Sequence, residues 1–166
     1  MVIDKEQKEK ILEFLSEIQD PEIPVISIVE LGVIRDIISI DDKVLIHLTP
    51  TYSGCPAMDV MEKDVLNKMK ANGYENVEIK KVYSPAWTTD WISDDAKEKL
   101  RKYGIAPPNK VTADKGFLSG KEDQMVHCPQ CNSNSTVMFS PFGSTACKAL
   151  YKCDECHESF DYFKCI

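Results

Sequence analysis

Residues 33–72 read VIRDIISIDDKVLIHLTPTYSGCPAMDVMEKDVLNKMKAN, and the spacing of their apolar positions changes once along the way. Up to Thr49 it is the period of a strand. VIRDIISI and VLIHLT are β-rich runs on either side of the polar turn DDK, which predicts a hairpin. In the second run Val44, Ile46 and Leu48 share one face, with Leu45, His47 and Thr49 opposite. His47 is then a structural residue on a strand face. After TPTYSGCP the period becomes helical, with Met58, Met61, Val65 and Met69 on one stripe and Gly73 placed as the stop.

Outward from this centre the pattern extends both ways. Ile11, Leu12, Leu15 and Ile18 recur at helical spacing behind Asp4 and Gln7, a capping-box pair, so a helix is expected over about 5–19. It must stop by Pro21, and PEIPVISI is expected to run extended. NVEIKKVY reads as a third strand. The PAWTTDWI loop follows, its Trp87 and Trp91 suited to packing or to a docking surface. A last helix has Ser93 as cap, Asp94 and Asp95 in its first turn, Lys99, Arg101 and Lys102 in its last, and Gly104 after it. The order αββαβα predicts an α+β sandwich over residues 1–104. Residues 105–126, with APPN, ADKG and LSGKEDQ, read as linker, leaving 127–166 as a second, small domain.

That second domain has its own logic. Cys128 and Cys131 stand in CPQC, Cys153 and Cys156 in CDEC. Each CxxC turn aims two thiolates at one ion, and two turns complete a tetrahedron around structural zinc. About 40 residues cannot bury enough apolar surface to fold alone. A structural zinc contributes about 10–16 kcal/mol in finger peptides, enough to cover that deficit. The expectation is a zinc β-ribbon, the alternative a set of free core thiols. Cys147 and Cys165 are two further sulfurs offering additional ligands, and six thiols would also suit an iron–sulfur cluster. His127 and His157 flank ligands but read as surface residues.

Cys55 has no CxxC partner. Ahead of Pro56 it is expected to be the N-cap of the second helix, where amide groups and the helix dipole favour the thiolate. A low-pKa nucleophile or metal ligand follows, against the plainer alternative of an inert buried thiol. Asp20 and Glu22 in QDPEIP are candidates to bring carboxylates near it, or else a helix stop and a solvated turn.

Composition narrows the function classes. The chain has 166 residues, 43% of them apolar, with net charge −7 and pI near 5.0. Such an acidic surface does not favour nucleic acid. No apolar run approaches the roughly 20 residues that cross a bilayer, and MVIDKEQKEK has no apolar stretch behind its charges. A cytoplasmic protein off the membrane is expected, where seven clustered or free thiols stay reduced. No Ser-His-Asp set, phosphate loop or HExxH motif is present, so the chain is not expected to be a catalyst itself.

IQDPEIPVISIVELGVIRDI (18–37) followed by TPTYSGCPA (49–57) resembles the SufT-like domain of iron–sulfur protein maturation, whose marks are the acidic DPE turn and the CP cysteine. Ser27 departs from the Asn or Asp frequent in that group. PAWTTDWI, YGIAPP, FGSTACKALYKCDEC (142–156) and FDYFKCI (160–166) resemble the PaaD family of phenylacetate-degradation accessory proteins. The resemblance implies maturation of the phenylacetyl-CoA epoxidase, a multicomponent monooxygenase with a diiron oxygenase and an iron–sulfur flavin reductase. Those components and iron–sulfur assembly proteins are the implied partners, and a transient iron–sulfur cluster the implied cargo. By position, Asp20, Glu22 and Cys55 match the SufT-like motif, and Cys128, Cys131, Cys147, Cys153, Cys156 and Cys165 match the PaaD pattern. Two rivals remain at this level: an iron–sulfur electron carrier, and a structural subunit of the oxygenase complex.

Overall fold

The computed structural model describes residues 5–108 and 125–164. Asp4, Cys165 and most of the expected linker lie outside them. The elements follow the expected order: α1 (Lys5–Leu15), β1 (Ile34–Ile40), β2 (Lys43–Leu48), α2 (Ala57–Ala71), β3 (Val77–Lys81) and α3 (Asp94–Tyr103). Then come β4 (Ile105–Ala106), β5 (Thr136–Ser140), β6 (Lys148–Cys153) and β7 (Ser159–Phe163). The fold is α+β. It divides into two compact units, residues 1–87 with 91–93, and 88–90 with 94–166.

In the first unit β1 and β2 form the antiparallel hairpin, turning at Asp41 with φ of 56°. β2 and β3 are parallel, joined across α2. Val44, Ile46 and Leu48 are buried while Leu45 and His47 are half-buried, so the strand's two faces are those its alternation predicts. Ile11 and Leu15 of α1 and Met58, Met61, Val65 and Met69 of α2 are buried as well. Every position of the α2 stripe is therefore inside. α2 ends in a Schellman motif: Tyr74 N–H donates to the Met69 carbonyl (3.0 Å) and Gly73 N–H to that of Lys70 (3.0 Å), with Gly73 at φ 85°.

Two local expectations give way. α1 ends at Leu15 and not near 19, because Ile18 N–H bonds back to Leu15 in a tight turn and Gln19 pairs with Ser27. PEIPVISI is not extended. Asp20 N–H reaches the Ile26 carbonyl (2.9 Å) and Ile28 N–H that of Ile18 (3.0 Å), closing 20–26 into a loop. The buried Asp20 carboxylate holds it from within, accepting from the amides of Glu22 (2.9 Å) and Ile23 (2.7 Å). Short-range carboxylate–amide bonds thus override the extended bias around the prolines.

Trp87 is buried and donates its indole N–H to the Leu31 carbonyl (2.9 Å). Trp91 lies under the Arg35 guanidinium, 3.4 Å from its ring centre. It also explains Gly32: a Cβ there would lie 2.8 Å from that of Trp91, and φ is 76°.

The second unit holds a four-stranded sheet in the order β4-β7-β6-β5. Its core is Ala106, Val126, Cys128, Ala149, Tyr151, Cys153, Phe160 and Tyr162. Here packing divides the chain differently from composition. α3, counted with the N-terminal domain on sequence grounds, falls in this unit and contacts β4. Ile105 and Ala106, the first residues of the expected linker, pair in parallel with Asp161 and Tyr162.

Candidate metal centre and thiol site

Cys128 and Cys131 lie in a turn ahead of β5, Cys153 ends β6, and Cys156 lies in the turn before β7. Their four sulfurs lie within 4.8 Å of one another, with Cys128–Cys156 at 3.6 Å and Cys131–Cys153 at 3.5 Å. A sulfur tetrahedron around zinc, with Zn–S about 2.3 Å, has edges of about 3.8 Å. The donors fit a single zinc ion. An iron–sulfur cluster spreads its ligands over separate irons and needs its thiols further apart.

The two turns repeat one design. Cys128 N–H donates to Ser133 (2.8 Å) and Cys153 N–H to Glu158 (2.9 Å), each spanning five residues. The residue after each pair is left-handed, Asn132 at φ 62° and His157 at φ 65°. Amides aim at the sulfurs: Ser133 N–H at Cys131 and Glu158 N–H at Cys156. The amides of Cys156 and Glu155 bring the Cys153 thiol down to about 7. Cys156 also feels the Glu158 amide drawing it down, yet burial and hydrogen bonds to three neighbouring sulfurs push it up to about 12. Thiols so close cannot all ionise without a cation among them. Zinc would supply that charge, and Cys128, Cys131, Cys153 and Cys156 would hold it.

His157 is thus a backbone device, and His127 turns its Nδ1 to the Asn132 carbonyl (3.3 Å). Cys147 is buried, 3.0 Å from the Thr145 hydroxyl, and is not one of the converging thiols.

In the first unit Cys55 is buried at the start of α2. The cap is Pro56, already helical at φ −69° and ψ −21° without a side-chain bond, and the Cys55 carbonyl accepts from Met58 N–H (3.3 Å). Cys55 therefore stands one residue before the cap. The expected low-pKa thiolate is corrected as well. Burial pushes the Cys55 thiol up; the Ala57 amide opposes this, the negative charge of Glu22 adds to it, and the Tyr52 and Thr51 side chains lower it less. Desolvation outweighs the helix-start amides. What results is a protonated thiol, ringed by donors, beside a carboxylate. A metal ion can still claim it, because coordination itself expels a thiol proton.

Asp20, Glu22 and Cys55 thus separate into roles. Asp20 shapes the loop, and Glu22, one step beyond Pro21, carries the charge that Cys55 feels. Sequence reasoning missed Thr51 and Tyr52, whose signal was adjacency to the CP turn. It also missed a reciprocal cap: Ser27 N–H donates to the Glu30 carboxylate (2.9 Å) and Glu30 N–H to the Ser27 hydroxyl (3.2 Å), legible as S-x-x-E. His47, opposite Asp36 across the hairpin, has a buried Nε2 without a partner among the described residues and stays a strand-face residue.

Comparison with known proteins places these sites in context. Residues 112–164 match the family described as the PaaD zinc beta ribbon domain, and residues 8–80 the family described as iron-sulfur cluster assembly protein. The chain is 46% identical over 160 residues to a putative 1,2-phenylacetyl-CoA epoxidase subunit of Escherichia coli (strain K12), covering 96% of this chain and 94% of that protein. It is 34% identical over 95 residues to an Fe-S protein maturation auxiliary factor of Porphyromonas gingivalis, covering 56% of this chain and 90% of that one. The solved structure of a DUF59 domain from Bacillus anthracis superposes with a TM-score of 0.52 at 28% identity, covering 56% of this chain and 90% of that one.

Proposed function

The chain belongs to the PaaD family, and on that premise we propose that it is a cytoplasmic accessory factor assisting metal-centre assembly in the phenylacetyl-CoA epoxidase, without epoxidising substrate itself. One observation carries this. Residues 8–80 match an iron–sulfur assembly family, and the maturation factor of Porphyromonas gingivalis is nearly used up by the 95 residues it aligns, whereas the epoxidase-named relative continues through the ribbon. Assembly chemistry and epoxidase association thus meet in one polypeptide.

In this reading the first unit, residues 1–87 with 91–93, handles the cargo, and the second, which carries the four converging thiols, holds structural zinc and engages the partner. Cys55 takes transient hold of an iron–sulfur species as cargo. Its proton leaves on ligation, with the Glu22 carboxylate as near acceptor, and Asp20 keeps the loop that presents Glu22. One thiol released from a buried site suits a carrier, since a cargo held by few ligands can be handed on. Cys147 acts outside the zinc set. The partners are the oxygenase and reductase components and iron–sulfur assembly proteins; nucleic acid and membrane are not. No helix among the described residues is long and apolar enough to cross a membrane.

The test is a Cys55→Ser chain co-expressed with the epoxidase components. The reductase should then lose iron while the variant keeps its zinc and its melting temperature. Full iron in that reductase would refute the carrier role and leave the structural-subunit reading in its place.

A further inference from the structure

A chain with 28% charged residues has none between Asn132 and Cys147. That neutral stretch runs through β5 and the loop after it, and it exposes its largest apolar groups: Val137 is 56% exposed, Phe139 76% and Phe142 69%. Two phenyl rings in solvent on so small a unit are costly unless something covers them. They are also held in place. The β5–β6 register shifts between Met138 and Ser140, so Phe139 is the extra residue of a bulge that turns its ring outward. The Phe142 ring lies 5.1 Å from the Lys164 ammonium, which is itself fixed on the Pro141 carbonyl (3.0 Å).

β5 ends the sheet, with β6 on one side and no strand on the other among the described residues. Pairing with a second copy along that edge is opposed by the same bulge and by Pro141, which interrupt the ladder a second β5 would need. What remains for recognition is the two rings. A cation without a carboxylate partner among the described residues lies on the neighbouring strand: Lys152, exposed and directly opposite Val137. The complementary surface is an apolar pocket that receives phenyl rings, with a carboxylate at its rim.

We propose that Phe139 and Phe142 on the bulged edge of the ribbon are the anchors by which this chain docks on a component of the epoxidase, with Lys152 meeting an acidic group of that component. This rests on the accessory role proposed above and deepens it. The ribbon is the part that the aligned maturation factor does not extend into and the epoxidase-named relative does. A surface selecting the epoxidase among clients therefore belongs on it, and this edge offers that surface.

The experiment uses the full zinc-loaded chain and the purified oxygenase and reductase components, each alone, with affinity measured by calorimetry. The double variant Phe139→Ser, Phe142→Ser should bind its component about tenfold more weakly or worse, with zinc content and melting temperature unchanged. Lys152→Glu should weaken binding in the same sense, and Tyr83→Ser, an exposed aromatic of the other unit, should not. Equal binding by wild type and double variant would refute this docking edge while sparing the accessory role. No binding of either component by the wild type would overturn both. A wild-type dimer that the double variant converts to monomers would assign the edge to a second copy and overturn the proposal.

Discussion

Cys55 shows how a residue's position and its chemistry separate. The start of a helix offers a thiolate amide donors, and the Ala57 amide is there, but the buried sulfur has lost water and lies near the Glu22 charge. Its pKa is raised, so the neutral thiol persists through the pH range in which an exposed cysteine ionises. Labelling of Cys55 by iodoacetamide, read by mass spectrometry of its peptide, should therefore be slow near neutral pH and should still climb where an ordinary cysteine has levelled off. Because Glu22 contributes to the rise, Glu22→Gln should move that curve to lower pH. A Cys55 curve matching a free thiol, or a Glu22→Gln curve unmoved, would contradict the site as described. The SGCP spacing was legible as a helix start; the desolvation that decides the charge was not, since it depends on side chains distant in sequence.

At the scale of the element, each zinc knuckle is two ligands, a left-handed residue and a bond across five residues. The CxxC pairs are visible as spacing. The left-handed requirement is not, because Asn132 and His157 stand where glycine would have announced it. His157 is then a conformational residue beside a ligand, and its imidazole is dispensable. His157→Gly should keep one zinc per chain and match or exceed wild-type stability, while His157→Val should cost about 1–2 kcal/mol; metal analysis with thermal denaturation checks both. Loss of zinc in the glycine variant would make the histidine a ligand after all. The hairpin and α2 were legible for the opposite reason. Alternation in β2 and the Met58-Met61-Val65-Met69 stripe repeat over enough residues that one irregular position cannot hide them. The PEIPVISI loop escaped because two bonds to the Asp20 carboxylate, not a periodic pattern, set its course.

For the molecule as a whole, two units depend on different forces. The first buries long apolar side chains between a sheet and its helices. The second has a core in which Cys128 and Cys153 are themselves members, so the metal ligands are part of the packing. Stripping zinc with a chelator should release the order around Tyr151, Phe160 and Tyr162, seen as lost near-ultraviolet dichroism and lost amide protection over 125–164. Amides of β2 and α2 should stay protected. An unchanged melting profile and an equally protected ribbon after metal removal would mean that the ribbon stands without its ion.

The sequence by itself determined the class of fold, the order of its elements through α3, the buried faces of β2 and α2, and the four thiols that converge. All of these rest on spacing along the chain, which local geometry turns directly into direction in space. Only the tertiary structure decided the charge state of Cys55, the closed loop around Asp20, the place of β4 beside β7, and the outward turn of Phe139. Each of those is set by what approaches from elsewhere in the fold: desolvation, a strand partner, a register shift. None of these leaves a periodic trace in the residues it acts on.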